Sequence, residues 1–146
     1  MSNGSTLTDV LVARLEHVTR ANGYASELKG VYPFGDRVLD GADKPFVLVR
    51  IDTDSGESKA GYSVKRQRVY ELEFQFPRTA RLFELEQMHF DVMRALSVGL
   101  VAASREFPGE ILSDEYTTIP AGTDGSTVAK LISSITVRYV EQYKPR

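Results

Sequence analysis

Between Val69 and Phe76 the chain reads Val-Tyr-Glu-Leu-Glu-Phe-Gln-Phe, so Tyr70, Leu72, Phe74 and Phe76 alternate with Glu71, Glu73 and Gln75. Successive side chains of a strand point to opposite faces, so this stretch predicts a sheet with one buried and one solvated face. Its apolar side needs a second layer of structure, and the chain offers two helical segments to provide it. The strand is expected to start near Val64, with Lys65, Arg66 and Arg68 in a basic first half, and Pro77 stops it. An earlier run, Phe46 to Thr53, sets Val47, Val49 and Ile51 on one face and Phe46 and Leu48 on the other. With both faces apolar at its start, that strand is expected to begin centrally in the sheet, and Pro45 at its mouth removes a donor before pairing begins. Asp52 to Gly61 is polar and contains Gly and Ser, which reads as an exposed loop at the tip of a long hairpin joining the two strands.

The apolar residues Leu7, Val10, Leu11, Leu15 and Val18 follow helical spacing, with Ser5 or Thr6 as the expected cap and Asp9 in the first turn. Asn22-Gly23 is a stop, because glycine tolerates the left-handed conformation a helix end requires, and Tyr24 is placed to fold back over that end. The chain then reads as irregular or weakly extended to Gly41, with a short extended run over Val31 to Gly35 and a turn at Asp40-Gly41. A second helix is expected from Thr79 to Ser97, with Thr79 as its cap and Leu82, Leu85, Val92, Met93 and Leu96 as its stripe. Phe83, Met88 and Phe90 widen that stripe beyond one sheet contact, which implies deep burial or a second partner surface. Gly99 closes the helix, Leu100 to Phe107 connects, and Pro108-Gly109 turns. Ile111 to Ile119 is weakly amphipathic, Pro120 to Ser126 is a loop, and Val128 to Tyr143 is a long strand. That last strand sets Leu131, Ile135, Val137 and Tyr139 on one face, with Thr136, Arg138 and Glu141 on the other or near the end. The order predicts one α+β domain over residues 1–146: two layers, a mainly antiparallel sheet with both helices packed on one face.

Composition narrows the function. A chain of 146 residues is long enough for a core without staples, and zero cysteines exclude disulfides, thiolate metal sites and cysteine nucleophiles. A net charge of -2 argues against general polyanion affinity. No apolar run approaches the roughly 20 residues a membrane span needs. Met1 to Ser5 lacks the features of a signal peptide, so a cytosolic product is expected.

His17 and His89 both fall on helices, without a His-x-x-x-His or His-x-x-Glu-His pattern, and His89 reads as a satisfied or interfacial histidine. Glu71 and Glu73 share a strand face that alternation explains as solvated, while Glu84 and Glu86 diverge on a helix. The glycines at 54–62 and 120–126 match no phosphate loop, and Ser126 has no nucleophile-elbow context. Lys65, Arg66 and Arg68, near Tyr62 and Tyr70, form a tight basic cluster. In an acidic chain they read as a charged edge or intersubunit salt-bridge strip rather than a nucleic-acid surface. No catalytic residue, cofactor or metal is expected.

The element order, together with Ala21-Asn22-Gly23-Tyr24, Lys44-Pro45-Phe46 and the alternating strand followed by a long amphipathic helix, resembles the tail terminator (tail completion) proteins of long-tailed bacteriophages. Ala25-Ser26 stands where similar proteins often have Thr-Asp. The resemblance implies a non-enzymatic virion protein. It would form a homo-oligomeric, six-membered ring on the head-proximal end of the tail tube, ending tube growth and offering the surface that joins the head. Implied partners are the chain itself, the tail tube protein and the head–tail connector or neck proteins, with no membrane and no specific nucleic acid. Implied locations are the virion tail and, during assembly, the host cytoplasm. Two alternatives stand beside it: another connector or neck adaptor, and a small-ligand-binding α+β domain. Ring closure requires two unlike surfaces per subunit. Arg66, Arg68, Glu71 and Glu73 with the 52–61 loop, and Phe83 and Phe90 on the second helix, are the candidates. Reversing the charge of Arg66 and Arg68 is expected to weaken assembly and leave the monomer folded.

Overall fold

The strand Ser63–Phe76 hydrogen-bonds to a neighbour on each side along its entire length. The computed structural model describes residues 2–34, 37–38, 41–96, 108–122 and 127–146. The expected stop at Gly99, the connection Leu100 to Phe107, Ser97 as a helix end, Asp40, and residues 123–126 lie outside them. In chain order the elements are α1 (Asn3–Glu16), a 3₁₀ turn (Arg20–Asn22), β1 (Gly30–Pro33), β2 (Phe46–Ala60), β3 (Ser63–Phe76), α2 (Leu82–Ala95), β4 (Glu110–Ile119) and β5 (Ala129–Gln142). The sheet order is β1-β2-β3-β5-β4. Only β1 pairs in parallel, with β2; the other neighbours are antiparallel. This is the expected two-layer α+β fold.

Tyr70, Leu72 and Phe74 are fully buried and Phe76 nearly so. Across the register they face Ile135, Ser133, Leu131 and Ala129 of β5, and Val47 and Val49 of β2 lie opposite Phe74 and Leu72. Leu7, Leu11, Leu15 and Val18 from the α1 region join Leu85, Met88, Val92, Ala95 and Leu96 from α2 and its end in the same core. Both helices therefore cover one face. The other carries Glu71, Glu73 and Gln75, each half-buried, with Arg50 paired to Glu71 and Gln75 donating to Glu73 at 2.9 Å.

Several local expectations are corrected. The cap of α1 is Ser2, whose hydroxyl accepts from Ser5 N at 3.0 Å, so neither Ser5 nor Thr6 caps it and Asp9 lies past the first turn. Gly23, at φ +91°, closes the 3₁₀ turn rather than α1 itself. Helix α2 begins at Leu82 with Arg81 as its cap and Glu84 reaching back to Arg81 N, so Thr79 is not the cap. Leu82, Phe83 and Phe90 are exposed and lie off the buried stripe. Glu141 lies with the apolar residues of β5, where its carboxylate accepts from Gly4 N at 3.0 Å at the positive end of α1.

The largest difference is the stretch Asp52 to Gly61, which is strand to Ala60 and not loop. Its polar composition hides pairing that β3 enforces, with Ser55 opposite Gln67 and Ala60 opposite Ser63. The turn is the two residues Gly61-Tyr62, and Gly61 adopts φ +63°, which a side chain would disfavour. Bulges between Ile51 and Thr53 and between Gly56 and Ser58 shift the alternation twice. A third falls between Ile111 and Ser113 of β4, an edge strand exposed along most of its length, which accounts for its weak alternation.

The two faces predict a contrast. Leu72→Ala should cost about 3 kcal/mol in denaturant unfolding. Glu71→Ala, one residue away on the uncovered face, should stay within about 1 kcal/mol.

Candidate assembly surfaces

Past Tyr70 the covered face of β3 changes from apolar to basic. The first bulge of β2 brings Asp54 onto that face opposite Arg68, and Gly56 opposite Arg66. Asp54 accepts from Arg66 Nε at 2.5 Å, from Arg68 Nε at 2.7 Å and from the Tyr139 hydroxyl at 2.6 Å. Arg68 spends its remaining donors on Gly4 O (2.9 Å), Thr8 Oγ1 (3.1 Å), and the hydroxyls of Tyr70 (3.1 Å) and Tyr139 (3.1 Å). Its guanidinium also lies over the Tyr139 and Tyr70 rings. Gly4 permits this approach: a Cβ there would stand 2.6 Å from Arg68 Nη2 and 3.1 Å from the Tyr139 hydroxyl. The network joins α1, β2, β3 and β5.

Its electrostatics follow from that geometry. Burial pushes the Asp54 carboxyl up, but hydrogen bonds from Tyr139, Arg66 and Arg68 outweigh it and hold the pKa below the ordinary value. Burial, then donation to Asp54, pushes the Tyr139 phenol up to about 12. For Arg68 burial works against the charge, yet hydrogen bonding to Tyr70 and Asp54 raises its pKa above the ordinary value. The network is a fixed, fully charged strut between helix and sheet.

A second polar group spans α2, β5 and β4. His89 Nδ1 lies 2.8 Å from Ser133 Oγ, and His89 Nε2 lies 2.9 Å from Asp114 Oδ2. A carboxylate accepts, so Nε2 is the donor to Asp114, and the Ser133 hydroxyl, able to donate or accept, completes the ring's hydrogen bonding at Nδ1. Tyr116 packs on the imidazole with centroids 4.4 Å apart. The residue types are those of a hydrolytic triad, but Ser133 has 0% exposure, so no substrate reaches its hydroxyl. His89 is the satisfied histidine its place in the stripe suggests. Asp91, also fully buried, accepts from Ser26 N at 2.9 Å and from Gln87 Nε2 at 3.1 Å, fastening α2 to the segment after α1. Among the described residues, no three His, Asp or Glu side chains gather as a metal site.

Large apolar side chains are exposed at several places, Phe34, Ile51, Leu112, Tyr116 and Val140 among them, and two groups stand out as clusters. Phe83 is 63% and Phe90 58% exposed on α2, joined by Leu82. At the far end of the β2–β3 arm Tyr62 and Tyr143 are exposed, and Tyr143 N donates to Tyr62 O at 2.8 Å.

The six residues singled out by sequence thus divide three ways. Phe83 and Phe90 are exposed together. Glu71 and Glu73 lie on the uncovered face of the sheet, while Arg66 and Arg68 lie on the helix face, so these four do not form one charged strip. Arg68, with its side chain 12% exposed, is committed to partners within its own chain, so its reversal is expected to act on the fold as well as on assembly. Asp54, Tyr139, Asp91 and Glu141 escaped notice as polar partners. An acid inside an apolar helical stripe was the available signal for Asp91, whereas Asp54 needed the bulge. The sequence matches no protein-family model and no curated protein.

Arg68→Met should cost about 3 kcal/mol of stability in urea, because it strips a donor set from a largely buried carboxylate. Asp54 has a depressed folded-state pKa, so its contribution is present above the ordinary value of 3.8 and is lost as pH falls through the folded value. The stability gap between wild type and Asp54→Asn should therefore close under acid. Tyr139 has the opposite sign: its contribution is complete below pH 10.0 and is lost as pH rises through about 12. Phenolate absorbance should contain a late-titrating component that Tyr139→Phe removes.

Proposed function

We propose that this chain is a structural virion protein that caps the head-proximal end of a phage tail tube as a ring, most simply a hexamer, ending tube growth and presenting the head-joining surface. The observation that carries the reading is the pair of separate exposed surfaces, an apolar face on α2 and an aromatic tip on the arm. A cyclic assembly needs two different patches per subunit, each with an apolar centre and a polar rim. The chemistry-bearing residue types support the same reading, because they are spent internally: Asp54, Arg68 and Tyr139 in one strut, and His89, Ser133 and Asp114 in another. The arrangement favours interaction over turnover. Its partners in this reading are copies of itself, the tube protein and the neck proteins, and its place is the virion tail after assembly in the host cytoplasm.

Light scattering over a wide concentration range tests the proposal. The expected result is a closed species of six times the chain mass, and Phe83→Ser with Phe90→Ser should shift it to monomer while circular dichroism is unchanged. A strict monomer overturns the free ring and leaves only closure on the tube itself. Failure of that monomer to bind isolated tube ends then removes the reading altogether.

A further inference from the structure

The two exposed surfaces match each other in charge as well as in apolar character. The arm tip holds a shallow concavity of about 410 Å³ whose lining includes Gly56, Lys59, Tyr62, Val64, Arg66 and Tyr143. Its unpaired charge is that of Lys59, since Arg66 is ion-paired through Nε to Asp54. Lys59 makes no ion pair among the described residues. The terminal nitrogens of Arg66 have only long contacts, 3.4 Å to the Tyr143 hydroxyl and 3.5 Å to Asp54 O, beyond the ordinary hydrogen-bond range. Glu57, also at the rim, is taken by Arg138 at 3.1 Å.

On α2, Phe83, Glu86 and Phe90 are all exposed. Steps of three and four residues bring them onto one helix face, so a carboxylate stands between two phenyl rings. Glu86 makes no ion pair among the described residues. An aromatic ridge with the Glu86 carboxylate between its rings, and with Arg94 lying over the Phe90 ring beyond them, thus has a counterpart in a basic, aromatic hollow. Within one chain they cannot meet. The hollow lies at the start of β3, whereas His89 of α2 reaches Ser133, the partner of Leu72, so most of the length of β3, roughly 30 Å, separates the two.

We infer that the arm tip of one copy seats α2 of the next, with Glu86 against Lys59 and Arg66, and Phe83 and Phe90 against Tyr62 and Tyr143. This rests on the ring reading and deepens it by stating which surfaces meet. Such a contact is head-to-tail: repeated with a closing rotation it makes a ring, and without one a filament. Like charges placed opposite each other oppose the contact and opposite charges set its register.

Lys59→Glu, Glu86→Lys and the double variant test it. Both side chains are exposed and lie outside the Asp54 and His89 networks, and circular dichroism verifies that each variant is folded. Sedimentation should show each single variant raising the dissociation constant about tenfold or more, with the double variant returning to within about threefold of wild type. Two outcomes overturn the contact: singles that assemble like wild type, or a double no better than the weaker single. If the wild type still forms its ring in either case, the ring reading survives and α2 or the tip faces another protein. A wild type that stays monomeric at every concentration overturns the contact together with the free ring.

Discussion

Strand β3 is the member on which everything else is hung. It is paired on both sides over 14 residues, and its helix-facing side changes character at one point: apolar from Tyr70 to Phe76, basic at Arg66 and Arg68. The apolar half nucleates the core beneath α1 and α2 by burying area in the ordinary way. The basic half cannot be buried without partners, and the partners come from three other elements: Asp54 on β2, Tyr139 on β5, and Gly4 O with Thr8 at the start of α1. One face of one strand therefore dictates where both helices sit and where the arm begins.

Much of this was legible in the residues. The alternation through Tyr70, Leu72, Phe74 and Phe76 names the core face directly, and Leu131, Ile135, Val137 and Tyr139 name its counterpart on β5. Overwide apolar coverage on α2 was readable as well, and its excess does emerge at the surface as Phe83 and Phe90. What could not be read depended on long-range pairing. Asp52 to Ala60 has the composition of a loop, and only the register with β3 makes it a strand. Each bulge exchanges the inward and outward residues downstream of it, so Asp54 turns inward against the parity set by Val47, Val49 and Ile51. The basic cluster was visible, but its anion was not. For that reason Arg68 reads from sequence as a surface residue and stands in the structure as an internal one.

The polar clusters separate structural from contact roles. A Ser, a His and an Asp within hydrogen-bond reach invite a catalytic interpretation, yet burial of Ser133 turns them into a brace between α2 and the sheet edge. Asp91 and Glu141 do comparable work, each meeting backbone N–H groups at a place where an element begins or bends. With these residues occupied, recognition falls to exposed aromatic rings and to the charges near them. That division is the one a protein built for the proposed ring would need: rigid inside, adhesive at its extremities.

The arm is three strands wide out to its tip, since β5 accompanies β3 to the pairing of Ser63 with Gln142. A lone hairpin bends easily and peels one hydrogen bond at a time. Here a pull on the tip directed along the strands loads the ladders on both sides of β3 in parallel, as shear, and the salt-bridged root passes the load into α1. The arm therefore behaves as a stiff lever, and any strain imposed at Tyr62 arrives at the first turn of α1 with little lost to flexing on the way.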